Sequence, residues 1–240
     1  MDFEPISFDE YKNMDDVKKQ AYIKWVAENF QDKIMNLMPI DGSEIFKFGR
    51  MQPPQLVDFG LPSGNLWATT NIGASTPYEP GLYFAWGDIN GYDKDDNHLF
   101  LIDDYIWYDG KEYSKYNEKD GISTLLLEDD AANVDFGGSW HIPNYFDFQE
   151  LLNYTSRYYD SINNVVSFYD KNNELSFFMG GFIDKQIYQD GNEGFYWSNQ
   201  LEDSGLDTVL SFNVTNKGEA IVRSNKRFVG QNIRPIYSQK

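Results

Sequence analysis

Residues 1–55 carry a hydrophobic pattern that differs from the rest of the chain. Between Met14 and Met38 there is no Gly or Pro, and apolar residues recur at steps of three and four, the spacing of a helix with a broad apolar face. Pro39 and Gly42 end this pattern. The apolar residues that we expect to dock on a partner are Tyr22, Trp25, Val26, Phe30, Ile34 and Leu37. The sequence thus predicts a helical attachment segment and linker; the alternative is a helix that packs on its own domain.

From Leu56 onward the pattern changes to short strands separated by Gly-rich turns. Residues 208–215 alternate between two sets of side chains with period two, which indicates a strand with one buried face. Residues 216–218 (NKG) predict a turn, and 219–223 the return strand of a hairpin. Residues 177–183 predict a buried strand with a bulge at its Gly pair.

Two helices are predicted among these strands. Asn144 is suited to cap a helix that carries Phe148, Leu151 and Leu152 on one side. Residues 128–133 predict a second, short helix. Many short strands with two helices in irregular order are typical of the α+β class, here over residues 56–240.

Composition and charge narrow the classes of function. The net charge of −18 disfavours binding to phosphate backbones, so we expect no nucleic acid among the partners. The chain contains no cysteine, which excludes disulfides, thiolate chemistry and Cys-ligated metals. Because no apolar run is long enough to span a bilayer, we expect no membrane insertion. The first residues also lack the basic and apolar regions of a secretory signal.

Several separated groups of residues carry a family resemblance. They are Val57–Thr69, Asn71–Ala74, Gly81–Gly87, Glu128–Ala132 with Gly137–Pro143, Gly194–Ser198 and Ile233–Ile236. In order and spacing these groups resemble the Fibrobacter succinogenes major paralogous domain family, which occurs in surface proteins of gut bacteria and in their phages. The resemblance covers about residues 56–236.

The resemblance implies a C-type-lectin-like fold, related to formylglycine-generating enzymes and to the variable receptor-binding proteins of diversity-generating retroelements. In those variable proteins the C-terminal stretch presents a ligand-binding face, which corresponds here to about residues 196–234. Polar residues of this stretch are the candidate contacts. They are Asn199, Gln200, Glu202, Asp207, Arg223, Asn225, Lys226 and Arg227.

Most residues of the shared motifs are expected to be scaffold. Trp67, Trp86, Trp140 and Trp197 are large apolar side chains with one N–H each, typical of core positions. Arg234, which precedes a proline, is expected to form a fixed ion pair or to clamp backbone carbonyls.

Catalytic and metal chemistry finds little support in the sequence. The enzyme branch of the related fold depends on cysteines, so we expect no enzymatic activity. His98 and His141 lack the spacing of a metal pair. A calcium-loop pattern places candidate ligands at four positions, although His98 replaces its central Gly and its last acid is shortened. These candidates are Asp93, Asp95, Asn97 and Asp104, and residues 128–130 form a second acidic candidate. No other cofactor is expected.

The residues and the resemblance together predict a non-enzymatic, virion-associated phage protein. Residues 1–55 would bind virion structural proteins of the capsid, portal or tail. The lectin-like domain would act as decoration or would recognise a cell-surface glycan or protein. A bacterial surface adhesin-like protein, located on the cell surface, is the first alternative. An enzyme on the formylglycine-generating-like fold is the second, and a homo-oligomer stays open.

Overall fold

The computed structural model describes residues 51–202 and 206–239. The predicted attachment helix lies outside the described residues. Within them there are two α-helices and twelve short strands whose pairs are all antiparallel, so the α+β class is confirmed. The strands are β1 (Leu56–Val57), β2 (Leu66–Ala68), β3 (Trp140–His141), β4 (Ser156–Asp160), β5 (Val165–Tyr169), β6 (Glu174–Phe178), β7 (Phe182–Ile183), β8 (Ile187–Tyr188), β9 (Glu193–Leu201), β10 (Thr208–Thr215), β11 (Ala220–Lys226) and β12 (Ile236–Tyr237). The helices are α1 (Ala131–Phe136) and α2 (Tyr145–Tyr154).

The longest strands form the predicted C-terminal hairpin. β10 pairs with β11 from Thr208↔Lys226 to Val214↔Ala220, and β9 lies on the other side of β10. Phe212 and Val214 point to a core, whereas Ile221 and Arg223 on the outer strand are exposed. The predicted strand and its return partner are therefore confirmed. The prediction of one buried face is wrong for β10, because Ser211, Asn213 and Thr215 on its other face are also buried.

Three smaller sheets complete the described fold. The first and last strands meet in a four-stranded sheet of order β1-β2-β12-β3. The strands β4, β5 and β6 form a meander, and β7 pairs with β8. The prediction of one bulged strand over residues 177–183 is wrong, because β6 ends before Gly180 and β7 has a different partner. Gly181 has φ +68°, and an added Cβ would lie 2.8 Å from the Asp190 nitrogen, so the chain turns sharply there.

Both helices begin at a side-chain cap. The Asn144 side chain accepts hydrogen bonds from the backbone N–H groups of Phe146 and Asp147, which confirms the predicted start of α2. The Asp130 carboxylate caps α1 in the same way and also accepts from the Ile142 N–H, at 2.9 Å. The short helix predicted over 128–133 therefore starts later, after a 3₁₀ turn at Leu127–Asp129.

The core is built from aromatic side chains. Phe148 of α2 stacks on Phe212 of β10 with ring centroids 4.5 Å apart, and Phe177 packs edge-on against Phe212. A second cluster surrounds Trp86 and Trp197. The four motif tryptophans are at most 6% exposed, as predicted: Trp67, Trp86, Trp140 and Trp197.

Arg234 clamps backbone carbonyls, which is one of the two roles predicted for it. Its guanidinium is fully buried and donates to the carbonyl oxygens of Ala68, Thr69 and Ser176 at 2.8–3.2 Å. Its Nε donates to the Asn71 side chain at 2.8 Å. The clamp ties the last part of the chain to the first sheet and to the meander.

Candidate functional site

Two tyrosines stand side by side on a loop without regular strands. Asp109 accepts hydrogen bonds from the backbone N–H groups of Lys111 and Glu112, at 2.9 and 2.8 Å, and Gly110 has φ +92°. This tight turn folds the chain back on itself, so that Tyr108 and Tyr113 form an antiparallel bridge. Their ring centroids lie 5.6 Å apart with an interplanar angle of 59°.

A second set of local hydrogen bonds fixes the following residues. Asp120 accepts from the backbone N–H groups of Tyr116, Asn117 and Ile122 at 2.7–3.0 Å. Asn117 donates through its side chain to the Tyr113 carbonyl at 2.8 Å. Asx turns of this kind hold a loop in one conformation without a sheet. The wall that carries the tyrosines is therefore preorganised.

Arg227 connects this wall to the chain just before β10. Its guanidinium is fully buried and donates to the carbonyls of Lys115 and Tyr116 on one side, at 3.1 and 3.0 Å. On the other side it donates to the Leu206 carbonyl at 3.1 Å. Its Nε donates to the Tyr105 hydroxyl at 3.0 Å. One arginine thus holds two segments that lie far apart in sequence.

The guanidinium also supports Tyr113 directly. Its Cζ lies 4.2 Å from the Tyr113 ring centroid, within the range of a cation–π contact. The exposed Asp207 side chain is near enough to the Tyr113 hydroxyl to influence its pKa. Burial, followed by the charge of Asp207, raises the pKa of Tyr113 to about 12, so its hydroxyl stays protonated at neutral pH.

These residues enclose an open cleft of about 610 Å³. Its lining combines half-buried aromatic and aliphatic side chains with charged residues of both signs. The lining residues are Ile102, Tyr108, Lys111, Glu112, Tyr113, Asn117, Glu118, Lys119, Leu206 and Asp207. The size falls within the range of small-molecule sites, roughly 300–1,000 Å³. We call it the tyrosine cleft.

Comparisons with known proteins give no further indication of function. No protein-family model, no curated protein and no solved structure matches the chain. The resemblance to the Fibrobacter major paralogous domain family and the C-type-lectin-like assignment therefore stay predictions based on the motifs. Among the described residues, no helix is both long and apolar enough to cross a membrane.

The predicted ligand-face residues separate into different places. Asp207 lines the tyrosine cleft. Asn199 and Gln200 lie at the end of β9, half-buried, where the Gln200 side chain accepts from the Tyr145 N–H at 3.0 Å. Glu202 accepts from the Thr208 hydroxyl at 2.8 Å. The structure therefore does not bring these four residues into one site.

The remaining predicted residues lie on or after the outer strand β11. Arg223 is exposed and lies 3.8 Å from the Glu193 carboxylate, beside a polar pocket of about 450 Å³. Lys226 is exposed and Asn225 is half-buried. The placement of Arg227 on an exposed face is wrong, because its guanidinium is turned inward to the carbonyls described above. Arg227 does not line the cleft but holds the segments that line it, from the protein interior.

The candidate calcium ligands do not converge. Asp93 caps the 3₁₀ turn Lys94–Asp96, and its carboxylate accepts from the Asp95 N–H at 2.9 Å. Asn97 ends that turn, and Asp104 belongs to another turn at Ile102–Asp104. Over residues 51–202 and 206–239, no group of three or more His, Cys, Asp or Glu side chains is placed to hold a metal ion.

The second acidic candidate is used within the fold. Asp129 is hydrogen-bonded to the Tyr116 hydroxyl and lies 2.5 Å from the Lys115 ammonium. Glu128 also contacts Lys115, at 3.1 Å. Asp130 is the helix cap. These carboxylates hold the cleft loop against the segment that precedes α1.

Sequence reasoning missed Tyr108 and Tyr113. The signal was present, because aromatic residues are dense between Tyr105 and Tyr116 and a strong Asp-Gly turn lies among them. Such a hairpin-like turn with flanking aromatic residues indicates a structured, partly exposed loop.

Proposed function

We propose that this protein is a non-enzymatic recognition module with a C-type-lectin-like fold. The motif residues support the fold assignment. The four tryptophans are buried, and Arg234 binds three carbonyls of two chain segments, as expected of scaffold residues. The mixed architecture of small antiparallel strands and two helices is compatible with it.

The observation that carries the recognition role is the tyrosine cleft. It is open and mostly preformed, and its two aromatic rings stand beside an exposed carboxylate. Preorganised sites lose less conformational entropy when a ligand binds. Asp207 belongs to the C-terminal stretch in which the family resemblance places a ligand-binding face. The proposed partner is a cell-surface glycan or protein.

For the location we propose the virion of a phage of gut bacteria, with residues 1–55 bound to a capsid, portal or tail protein. The support is the motif resemblance and the apolar helical pattern around Trp25 and Phe30. A bacterial adhesin-like surface protein is the alternative. Both assignments give the tyrosine cleft the same outward-facing role, and they differ in what the N-terminal segment binds.

Two measurements test this assignment. Mass spectrometry of purified particles is expected to detect the chain; its absence from them would reject the virion location. Pull-down from producing cells would compare the full-length protein with a variant carrying Trp25→Asp and Phe30→Asp. We expect the variant to lose the capsid or tail protein, whereas Gln31→Asp, outside the predicted apolar face, retains it. Equal recovery by all three proteins would contradict the attachment role.

A further inference from the structure

We infer that the ligand of the tyrosine cleft is an uncharged saccharide, bound without a metal ion. This inference rests on the proposed recognition function and adds the chemical class of its ligand. The argument starts from the two rings of Tyr108 and Tyr113, which are half-buried and line an open cleft. A pyranose ring has apolar C–H faces and a polar rim, so it can pack on an aromatic ring while its hydroxyls form hydrogen bonds.

A cationic ligand is disfavoured by the positive charge behind the ring. The Arg227 guanidinium lies 4.2 Å from the Tyr113 centroid, so the ring quadrupole already has a cation on one face. Lys111 adds positive charge on the lining of the cleft, whereas Lys119 is paired with Glu112 at 2.6 Å. A ligand ammonium group would meet these like charges at short range.

An anionic ligand is disfavoured by the acids of the same lining. Glu112, Glu118 and Asp207 face the cleft against the two lysines, and Lys119 is already paired with Glu112 at 2.6 Å. The whole chain carries a net charge of −18, which repels anions at long range. The charges of the cleft thus nearly cancel, and they favour a neutral ligand that offers many hydroxyl groups.

Asp207 supplies the strongest acceptor for such hydroxyls. The neighbouring Tyr113 hydroxyl is protonated at neutral pH and can occupy one of its acceptor positions. A carboxylate accepts several hydrogen bonds, so Asp207 retains acceptor capacity toward the cleft. Hydrogen bonds to an ionised acceptor are stronger than neutral ones. In this arrangement the Tyr108 ring packs against the apolar face of the saccharide, and Asp207 orients the saccharide through hydrogen bonds to its hydroxyl groups.

The test is binding of the full-length protein to an array of neutral, anionic and amino-containing glycans, with and without EDTA. We expect binding to neutral glycans that EDTA does not change. Tyr108→Ala and Asp207→Asn are each expected to weaken this binding about tenfold. Tyr158→Ala is the matched control, because Tyr158 is an exposed tyrosine on β4 outside the cleft lining. It should bind like the wild type.

The outcomes separate the ligand class from the proposed function. Binding confined to charged glycans, no binding to the array, or equal binding by both cleft variants and the wild type would overturn the saccharide inference. Asp207→Asn keeps an oxygen for Tyr113, so it reports on the cleft even where Tyr108→Ala lowers the folded fraction. Binding to intact gut bacteria that survives periodate but not protease would reject a saccharide while keeping recognition. Absence of binding to cells and absence from virions would reject recognition itself.

Discussion

Replacement of Arg227 by alanine tests how the tyrosine cleft is held together. The change removes four hydrogen bonds of a charged donor and leaves the carbonyls of Lys115, Tyr116 and Leu206 without that partner. A buried acceptor that loses its donor costs about 1–3 kcal/mol. Because water can reach the half-buried Leu206 side of the cleft, the sum is not fully realised. We expect the free energy of unfolding to fall by about 4 kcal/mol, at the upper end for a single substitution.

One further variant tests whether the effect comes from the positive charge of Arg227 or from the shape of its guanidinium group, and a second variant is a control. Arg227→Lys keeps a positive charge but cannot reach both walls with a planar fork, so we expect a loss of about 2 kcal/mol. Lys226→Ala changes the neighbouring exposed residue, whose ammonium lies over the Phe228 ring at 5.5 Å. Exposed substitutions of this kind stay within about 0.5 kcal/mol.

The assay is urea unfolding followed by tryptophan fluorescence, with the three variants and the wild type under identical conditions. Trp86 packs near Arg227, with its ring centroid 5.2 Å from the guanidinium carbon, so the signal reports on this region. The midpoint should shift with an unchanged slope. A loss below about 1 kcal/mol for Arg227→Ala would refute the reasoning, since the carbonyls would then be satisfied without the arginine.

Three other residues give independent predictions. Burial raises the pKa of Asp130 to about 6, from 3.8 in the unfolded chain. The protonated carboxyl therefore contributes about 3 kcal/mol to the free energy of unfolding below pH 4, and this contribution is lost as the pH rises through 6. Unfolding at pH 4 and pH 7 should show this component in the wild type and not in Asp130→Asn; equal pH dependence would contradict it. Asp130→Ala should cost about 2–4 kcal/mol in urea unfolding at pH 7, because α1 loses its cap and the Ile142 N–H its acceptor, and a loss near zero would reject that role. Phe212→Ala should cost about 3–5 kcal/mol in the same assay, against less than about 0.5 for the exposed Ile221→Ala. Arg234→Ala should be strongly destabilising, by about 4 kcal/mol, and a midpoint like that of the wild type would show that the carbonyl clamp is dispensable.

The elements that sequence reasoning predicted well are those with local causes. The hairpin of β10 and β11 follows from period two and from the turn at residues 216–218. The start of α2 follows from the Asn144 cap. Each signal lies within a few residues of the structure it determines, so one sequence is enough to find it.

The candidate site is formed by contacts between residues that lie far apart in the sequence, and a local sequence pattern does not predict such contacts. Arg227 was expected on a ligand-binding face because it is a polar residue of the C-terminal stretch that the family resemblance indicates. Its buried guanidinium is satisfied by the backbone carbonyls of residues 115, 116 and 206. Because every residue has a backbone carbonyl, the sequence does not indicate which ones will act as acceptors. Among the described residues, the calcium-loop spacing does not bring three carboxylates together, for a related reason. The Asp93 carboxylate accepts a hydrogen bond from the Asp95 N–H in its own turn, and this local bond competes with binding of a metal ion together with more distant ligands.

The carbonyl clamps of Arg227 and Arg234 have a consequence for how the protein can change. A disulfide or an ion pair needs a particular side chain at both ends, whereas these arginines need only a backbone oxygen at the far end. Leu206 can therefore be substituted without removing the hydrogen bond that holds its segment. Side chains that line the cleft can change in evolution while the backbone that carries them stays in place. The ligand specificity of the cleft can therefore change without loss of the fold.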